Sequence, residues 1–453
     1  MSLNIVILAA GKGTRMKSDL PKVLQPLAGK PLLSHVVTLA KSLNPSSTLV
    51  VYGHGGDHVQ ASMADVALEW VEQAKQQGTG QAVQCALPKL PAQGKTLILY
   101  GDVPLTQSSS LDTLITAASE TGFALMTVSL EHPAGYGRIV REKGKVVRIV
   151  EHKDASAEER AIDEVNTGIL CVDNALLHTY LPRLTNHNAQ GEYYLTDLVA
   201  MAYADGIAIA TRQPAAVWEV EGVNDKLQLA NLERVWQAEQ ARRLMLGGLT
   251  LLDPARFDLR GSLQHGTDCS IDINVVIEGK VILGKGVRIG AGCHLRDVHI
   301  GDHSEIRPMS ILESAQVAED CVVGPYARLR PGAQLADKVH IGNFVEIKNT
   351  CLGLGSKANH LSYIGDATVG SHVNLGAGTI TCNYDGINKF QTLIGDGAFI
   401  GSNNSLVAPV SIGKAATTGA GSVITKDVPD DQLAIARTRQ QTVPGWKRPK
   451  RQD

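Results

Sequence analysis

Residues 8–18, LAAGKGTRMKS, follow an apolar run and bring Gly11, Gly13, Arg15 and Lys17 together, with Lys22 a little further on. That combination suits an anion. Glycines let backbone N–H groups approach phosphate oxygens, and the basic side chains add charge. Two common glycine patterns nearly fit, and Met16 spoils both. It stands at the second Gly of G-x-x-x-x-G-K-[ST], where Gly11, Lys17 and Ser18 match, and at the last Gly of G-x-G-x-x-G, where Gly11 and Gly13 match. A second candidate is Asp102 in LILYGDVPL, where it closes an apolar strand just before Pro104. It can cap a turn, or it can offer a carboxylate oxygen to a hard cation that takes its other ligands from water and phosphate. Asn224, in EGVND, is also open to two readings: the second oxygen donor to such a cation, or the N-cap of the helix that begins there.

Strands and turns must hold these residues. A chain of 453 residues exceeds what one core usually organises, so two or three domains are expected. Its 43 Lys and Arg nearly balance 45 Asp and Glu, for a net charge of −2, so no nucleic-acid partner is expected and any anion site is local. Seven scattered cysteines without a C-x-x-C pair argue against a disulfide framework or a zinc site, and for a reducing compartment. The opening MSLNIVILAAG lacks a basic leader and reads as a first strand. No apolar run is long enough to span a membrane, so no membrane insertion and a cytoplasmic location are expected.

Up to about Val223, β-rich runs such as NIVILAA, TLVVYG, TLILYGD and TGILCVD alternate with helical stretches such as PLLSHVVTLAKSLN. The pattern predicts an α/β domain of parallel strands with crossover helices, and ligand sites at the carboxyl ends of strands. From Asn224 to about Leu246 the spacing of Leu227, Leu232, Val235, Trp236 and Leu244 predicts one long connecting helix, ended by Gly247 and Gly248. Beyond it an aliphatic recurs every six residues, at Ile300, Ile306 and Leu312, from Val323 to Ile347, and again through Ile394, Ile400, Leu406 and Ile412. A sustained hexapeptide phase predicts a parallel β-helix. The phase breaks at GLGSKANHLSYIGD and at TITCNYDGINKFQT, and both breaks are expected to be loops. The basic tail RTRQQTVPGWKRPKRQD reads as a solvated extension.

LAAGKGTRM followed by LPK, which ends in Lys22, resembles the motif of sugar-phosphate nucleotidyltransferases, with Gly11, Gly13, Arg15 and Lys22 at its spacing. Together with QQGTGQA, YGDVPL, GYGRI, EVNTGI, EYYLTD and the hexapeptide half, the whole chain resembles a family of bifunctional bacterial enzymes. These combine N-acetylglucosamine-1-phosphate uridyltransferase with glucosamine-1-phosphate acetyltransferase. The resemblance implies a Rossmann-like nucleotidyltransferase domain over residues 1–223, a helical linker over 224–247, and a left-handed parallel β-helix with a basic tail over 248–453.

For the N-terminal half it implies attack of N-acetylglucosamine 1-phosphate on UTP, with pyrophosphate leaving. Leu8, Ala9, Ala10, Gly11, Gln73, Gly78 and Thr79 would cradle the nucleotide, and Tyr100 and Gly101 would flank Asp102. Gly137, Glu151 and Asn166 would hold the sugar; Mg²⁺ would sit on Asp102 and Asn224. Arg15 and Lys22 would neutralise the charge on departing pyrophosphate, a reaction that needs positioning more than a nucleophilic side chain.

For the C-terminal half it implies acetyl transfer from acetyl-CoA to glucosamine 1-phosphate. The amine must lose a proton, and His360 in KANHLSYIGD would be the base. Arg330 and Lys348 would bind the sugar phosphate, with Tyr363 and Asn374 on the sugar. Ala377, Asn383, Tyr384, Ser402, Ala420 and Arg437 would bind acetyl-CoA, Arg437 through a phosphate. It also implies a homotrimer with acetyl-transfer sites between subunits. Two other readings compete: a single-activity nucleotidyltransferase whose solenoid only oligomerises or regulates, and a scaffold with a vestigial nucleotide fold.

Overall fold

The computed structural model describes residues 2–449 and 451; Met1, Lys450, Gln452 and Asp453 lie outside it, and with them the two ends of the expected first strand and basic tail. Contacts divide the chain into two units, residues 1–236 and 237–453, with the division inside the long helix Lys226–Leu246. Among the described residues no helix is long and apolar enough to cross a membrane.

The first unit is built on a sheet whose strand order is Ile209–Arg212, Phe123–Ser129, Glu164–Asp173, Lys95–Tyr100, Leu3–Ala9, Ser47–Tyr52 and Glu69–Glu72. Leu3–Ala9 lies in its middle, parallel to both neighbours. Successive side chains of a strand point to opposite faces. Accordingly Ile5, Ile7 and Ala9 enter one buried cluster while Val6 and Leu8 enter another, which is why this segment reads as an unbroken apolar run. Helix Leu32–Ser42 covers the first cluster with Leu33, Val36, Val37 and Ala40. The sheet is not all parallel as expected. Glu164–Asp173, which contains TGILCVD, runs antiparallel to both neighbours, and the hairpin Arg138–Glu142 with Lys145–Val150 hangs from it. Composition marks a buried strand but carries no information on its direction.

The first part of the long helix packs Leu232 against Met16, Leu27, Leu32, Leu105 and Val223. Asp225, not Asn224, caps this helix, since its Oδ1 accepts from the Gln228 N–H at 2.8 Å. Leu227, expected on the apolar stripe, is exposed.

The second unit is a parallel β-helix. Pairing runs from His294 to Ile311 to Arg328 along one strand column and from Val322 to His340 to Lys357 along another, so the chain returns to the same face after about three hexapeptides. Inner side chains therefore stack in columns, of which Ile289, Ile306, Val323, Ile341, Ala358, Leu375 and Ile400 form one. Corners fall at left-handed residues, again in columns: Met309, Tyr326, Phe344 and Leu361 at one, Ser314, Gly332, Asn349 and Asp366 at the next.

The two expected interruptions fare differently. Around TITCNYDGINKFQT the chain takes longer than an ordinary coil to return, pairing Asn374 with Phe399, and residues 383–391 loop out. GLGSKANHLSYIGD, by contrast, does not leave the coil. Lys357–His360 and Tyr363–Val369 are strands at the ordinary one-coil step. The phase looked broken because Ala358, a small residue, fills the inner slot that aliphatics fill elsewhere.

The stacked columns predict a sharp contrast within two adjacent rungs. Ile341→Ala should cost about 2–5 kcal/mol in a denaturant melt, the price of deleting buried methylenes, whereas exposed Lys357→Ala should stay within about 0.5 kcal/mol of the parent.

Candidate functional sites

A cleft of about 490 Å³ opens at the carboxyl ends of Leu3–Ala9 and Lys95–Tyr100. Leu8, Ala9, Ala10, Gly11, Lys22, Gln73, Gly78, Thr79, Tyr100 and Asp102 line it, together with Lys12, Gln76 and Glu192, which lie inside LAAGKGTRM, QQGTGQA and EYYLTD but were not singled out as site residues. The Gly101 N–H donates to Leu8 O at 2.9 Å and joins the two strand ends. Gln73 donates through Nε2 to Gly78 O at 3.0 Å, holding the turn ahead of helix Thr79–Ala86.

Four charged or polar groups converge at the cleft. Lys22 Nζ donates to the Asp102 carboxylate and lies 3.4 Å from Asn224 Oδ1, while Arg15 Nη2 donates to the same Asn224 oxygen at 2.9 Å. Lys22 and Asp102 side chains are only 13% and 16% exposed, so this pairing is partly shielded from water. One carboxylate and one amide oxygen thus face a single cationic point. That donor set suits a Mg²⁺ ion, which keeps most of its ligands as water and phosphate. Among the described residues no group of three or more His, Cys, Asp or Glu could hold a metal.

Met16 explains itself in this frame. Gly13 is left-handed (φ 60°), and a Cβ there would lie 2.6 Å from Lys22 Cβ, so only glycine lets the loop turn against Lys22. The short helical turn Thr14–Met16 then points Arg15 at Asn224 and buries Met16 to 1% exposure among Leu27, Leu32 and Leu232. A third glycine would leave a hole in that cluster. Lys17 is exposed, and Ser18 only accepts local hydrogen bonds from Leu20 N–H and Gln25 Nε2.

Gly137, Glu151 and Asn166 are neighbours at the hairpin. Asn166 N–H donates to Gly137 O at 2.9 Å, and a Cβ on Gly137 would lie 3.5 Å from the Glu151 oxygens. Burial raises the Glu151 carboxyl above its usual range, opposed by a 2.9 Å hydrogen bond from Thr196. Burial likewise pushes the Tyr100 phenol up, helped by the Glu151 and Asp102 carboxylates, which ties this group to the cleft.

In the β-helix the expected residues fall at two corners. At the first, the register sets Asn343 beside His360, and the same column continues through Ala377, Ser402 and Ala420, whose carbonyl accepts from Arg437. His360 is exposed, with Nδ1 2.7 Å from Asn343 Oδ1. Rungs of a parallel sheet lie about 4.8 Å apart, so small side chains pave roughly 14 Å from His360 to Ala420.

On a different sheet of the β-helix, outward charges alternate from Arg260 through Glu278 and Arg296 to Glu313, joined by ion pairs. The next rungs bring Arg330 and then Lys348, two cations in succession. Arg330 leans to Glu346 at 2.8 Å. Lys389, from loop 383–391, comes up against Lys348, and a side-chain hydrogen bond with it, then its charge, hold the Lys348 ammonium below the usual lysine range. The rung after Lys348 is Gly365, where a Cβ would lie 2.4 Å from the Tyr363 hydroxyl, so the Tyr363 ring covers that gap. Asn383, from the same loop, donates to Asp366. Arg330, Lys348, Lys389 and Tyr363 therefore cluster at this corner, with Asn383 held to Asp366 beside them and Tyr384 bridged to Lys389 in the loop. Sequence reasoning missed Lys389, which stands more than a full coil further along the chain than Lys348. Asn374 stands on the His360 sheet, paired between Lys357 and Phe399 three residues before Ala377, and away from the Arg330 and Lys348 column.

A nucleotide-binding cleft and a hexapeptide β-helix in one chain define a two-unit transferase. The model of the MobA-like NTP transferase domain matches residues 5–165, and that of the bacterial transferase hexapeptide (six repeats) matches residues 391–426. The chain is 58% identical over 451 residues to the bifunctional protein GlmU of Acinetobacter baumannii, covering 100% of this chain and 99% of that one. It is 59% identical to that of Acinetobacter baylyi over the same shares. Among solved structures, a nucleotidyl transferase from Methanothermobacter thermautotroptrophicus aligns at 17% identity and a TM-score of 0.38, over 51% of this chain and 96% of that one. The chain belongs to the bifunctional GlmU family.

Because Met16 is a core residue, completing the glycine pattern should do harm. Met16→Gly should cost the first unit about 2–5 kcal/mol by cavity formation and weaken UTP binding instead of improving it, as a denaturant melt and a nucleotide titration would read.

Proposed function

We propose that the chain carries out two consecutive reactions: acetylation of glucosamine 1-phosphate by acetyl-CoA in the β-helix, then transfer of uridylyl from UTP to the N-acetylglucosamine 1-phosphate so formed. Membership of a bifunctional family over the full chain length supports both reactions. What carries the reading is that each unit holds its own converging charges, at Arg15, Lys22 and Asp102 around Asn224 in one and at Lys348 and Lys389 in the other.

In the cleft, the backbone from Leu8 to Gly11, with Gln73, Gly78 and Thr79, holds the nucleotide, and Gly137, Glu151 and Asn166 hold the sugar. A phosphate oxygen of N-acetylglucosamine 1-phosphate attacks the α-phosphorus, and the bond to the bridging oxygen of pyrophosphate breaks. Lys22 and Arg15 are placed to neutralise the charge that collects on the leaving group. Asp102 and Asn224 would hold Mg²⁺, which when bound supplies further charge neutralisation; Lys22 would then shift from Asp102 towards phosphate.

In the β-helix, the thioester end of acetyl-CoA lies at His360 and the coenzyme runs along Ala377, Ser402 and Ala420 to Arg437. His360 takes the ammonium proton as the amine attacks, worth about 10²- to 10⁴-fold. Arg330, Lys348 and Lys389 bind the sugar phosphate and Tyr363 and Asn374 the sugar, with Asn383 and Tyr384 completing the coenzyme site. In this reading the acetyl-transfer sites form between the subunits of a homotrimer. Support for the homotrimer comes from the apolar corner column that runs up to His360, Met309, Tyr326, Phe344 and Leu361, all exposed, with the two rings stacked at 5.3 Å. The proposal puts the enzyme in the cytoplasm, where its phosphorylated substrates and coenzyme are found.

Asp102→Ala should remove most pyrophosphate release from UTP and spare CoA release from acetyl-CoA; His360→Ala should do the reverse. Both half-reactions followed in one tube decide this, and normal pyrophosphate release by Asp102→Ala at saturating Mg²⁺ would refute the first assignment. Lys389→Met, which removes one charge-assisted contact, should raise KM for glucosamine 1-phosphate about tenfold without changing uridyltransfer.

A further inference from the structure

Asn343 plays no part in the chemistry so far, yet it touches the residue that does. It ends the strand His340–Asn343, one coil before His360, and the register sets the two side by side. Its Oδ1 lies 2.7 Å from Nδ1 of His360. We infer that Asn343 is the positioning residue of the acetyl-transfer base: its amide oxygen fixes the imidazole with Nδ1 as donor and so leaves Nε2 as the proton acceptor. This rests on the reading of His360 as the base.

An amide oxygen can only accept a hydrogen bond, so Nδ1 must carry the hydrogen. Neutral imidazole has a single N–H, and the other nitrogen is then a lone pair. Without such a partner an exposed histidine at a corner would share itself between two tautomers and several ring orientations. The backbone of His360 is held as well, since its carbonyl accepts from Ser362 Oγ at 2.9 Å and from Gly378 N–H at 3.3 Å. With backbone and Nδ1 both fixed, Nε2 has one direction left.

The charge of the partner matters too. Nε2 takes a proton from the amine as the nitrogen–carbon bond forms; the carbon–sulfur bond of the thioester breaks, and the departing thiolate of CoA takes that proton from the imidazolium. The proton must be returned, so the imidazolium should not be held too strongly. On the same strand as Asn343, burial first and then the charges of Arg307, Lys357 and His360 keep the His340 imidazole below its usual range. A neutral amide accepts the Nδ1 hydrogen without trapping the proton, whereas a carboxylate would hold it more strongly.

The test uses the full chain with Asn343→Ala and the near-isosteric Asn343→Asp. Asn343→Ala should lower kcat for CoA release about tenfold or more, the scale expected when a catalytic histidine loses its orienting partner, with KM for acetyl-CoA and glucosamine 1-phosphate nearly unchanged. Asn343→Asp should restore much of kcat at high pH but move the acid limb of the pH–rate profile to higher pH, because a carboxylate stabilises the imidazolium. A kcat equal to the parent's in Asn343→Ala, or an unshifted profile in Asn343→Asp, overturns the inference. If Asn343→Ala fails to fold, the Asn343→Asp profile decides alone. His360→Ala separates the two levels: activity in that variant removes the base itself, whereas its loss beside unaffected Asn343 variants removes only the positioning.

Discussion

Everything in the second unit depends on one length, the stretch of chain that returns to the same face. At about three hexapeptides per coil, each inner aliphatic lands on its counterpart below, and each backbone group meets its ladder partner. Hydrophobic burial and hydrogen bonding then reinforce each other rung by rung, as in any solenoid whose repeats cannot bury their apolar faces alone. The same constraint lines up the outer residues, whose identity packing leaves free. Chemistry can therefore be written on the surface in columns: an alternating charge row that ends in two cations, and a row of small side chains that begins at an imidazole.

The first unit solves a comparable problem by different means. A central strand buried on both faces has no side chain to spare for a ligand, so the backbone beyond its end does the work. Gly13 lets that backbone double back against Lys22, and Met16 locks the turn by filling a pocket in the core. Binding groups and packing groups alternate within the single short turn from Thr14 to Met16, which is why no pattern built only from glycines describes this loop.

Much of this was legible in the sequence, for physical reasons. A period of six needs no tertiary knowledge to be seen, and it fixed the β-helix and its inner columns. The cleft residues were found through a motif whose spacing reflects a strand end. Three things were hidden. Strand direction in the first sheet leaves no mark on composition, so the antiparallel Glu164–Asp173 was missed. Ala358 carries too little bulk to be seen as a core residue, so its strand looked like a loop. Asn343 and Lys389 reach their partners only after the chain has coiled back, and a separation of a whole coil or more has no local signature.

The row from His360 to Arg437 has one more property. Each step along it is a whole rung, about 4.8 Å, and a fraction of a rung would throw the inner column out of stack. A surface of this kind is a ruler with fixed graduations. Evolution can lengthen or shorten the acyl carrier it measures only by adding or removing complete coils, while the insertion at 383–391 projects from the stack and is held by side-chain contacts instead of by its register. Reach is quantised in this fold, and side-chain chemistry at a given reach is not.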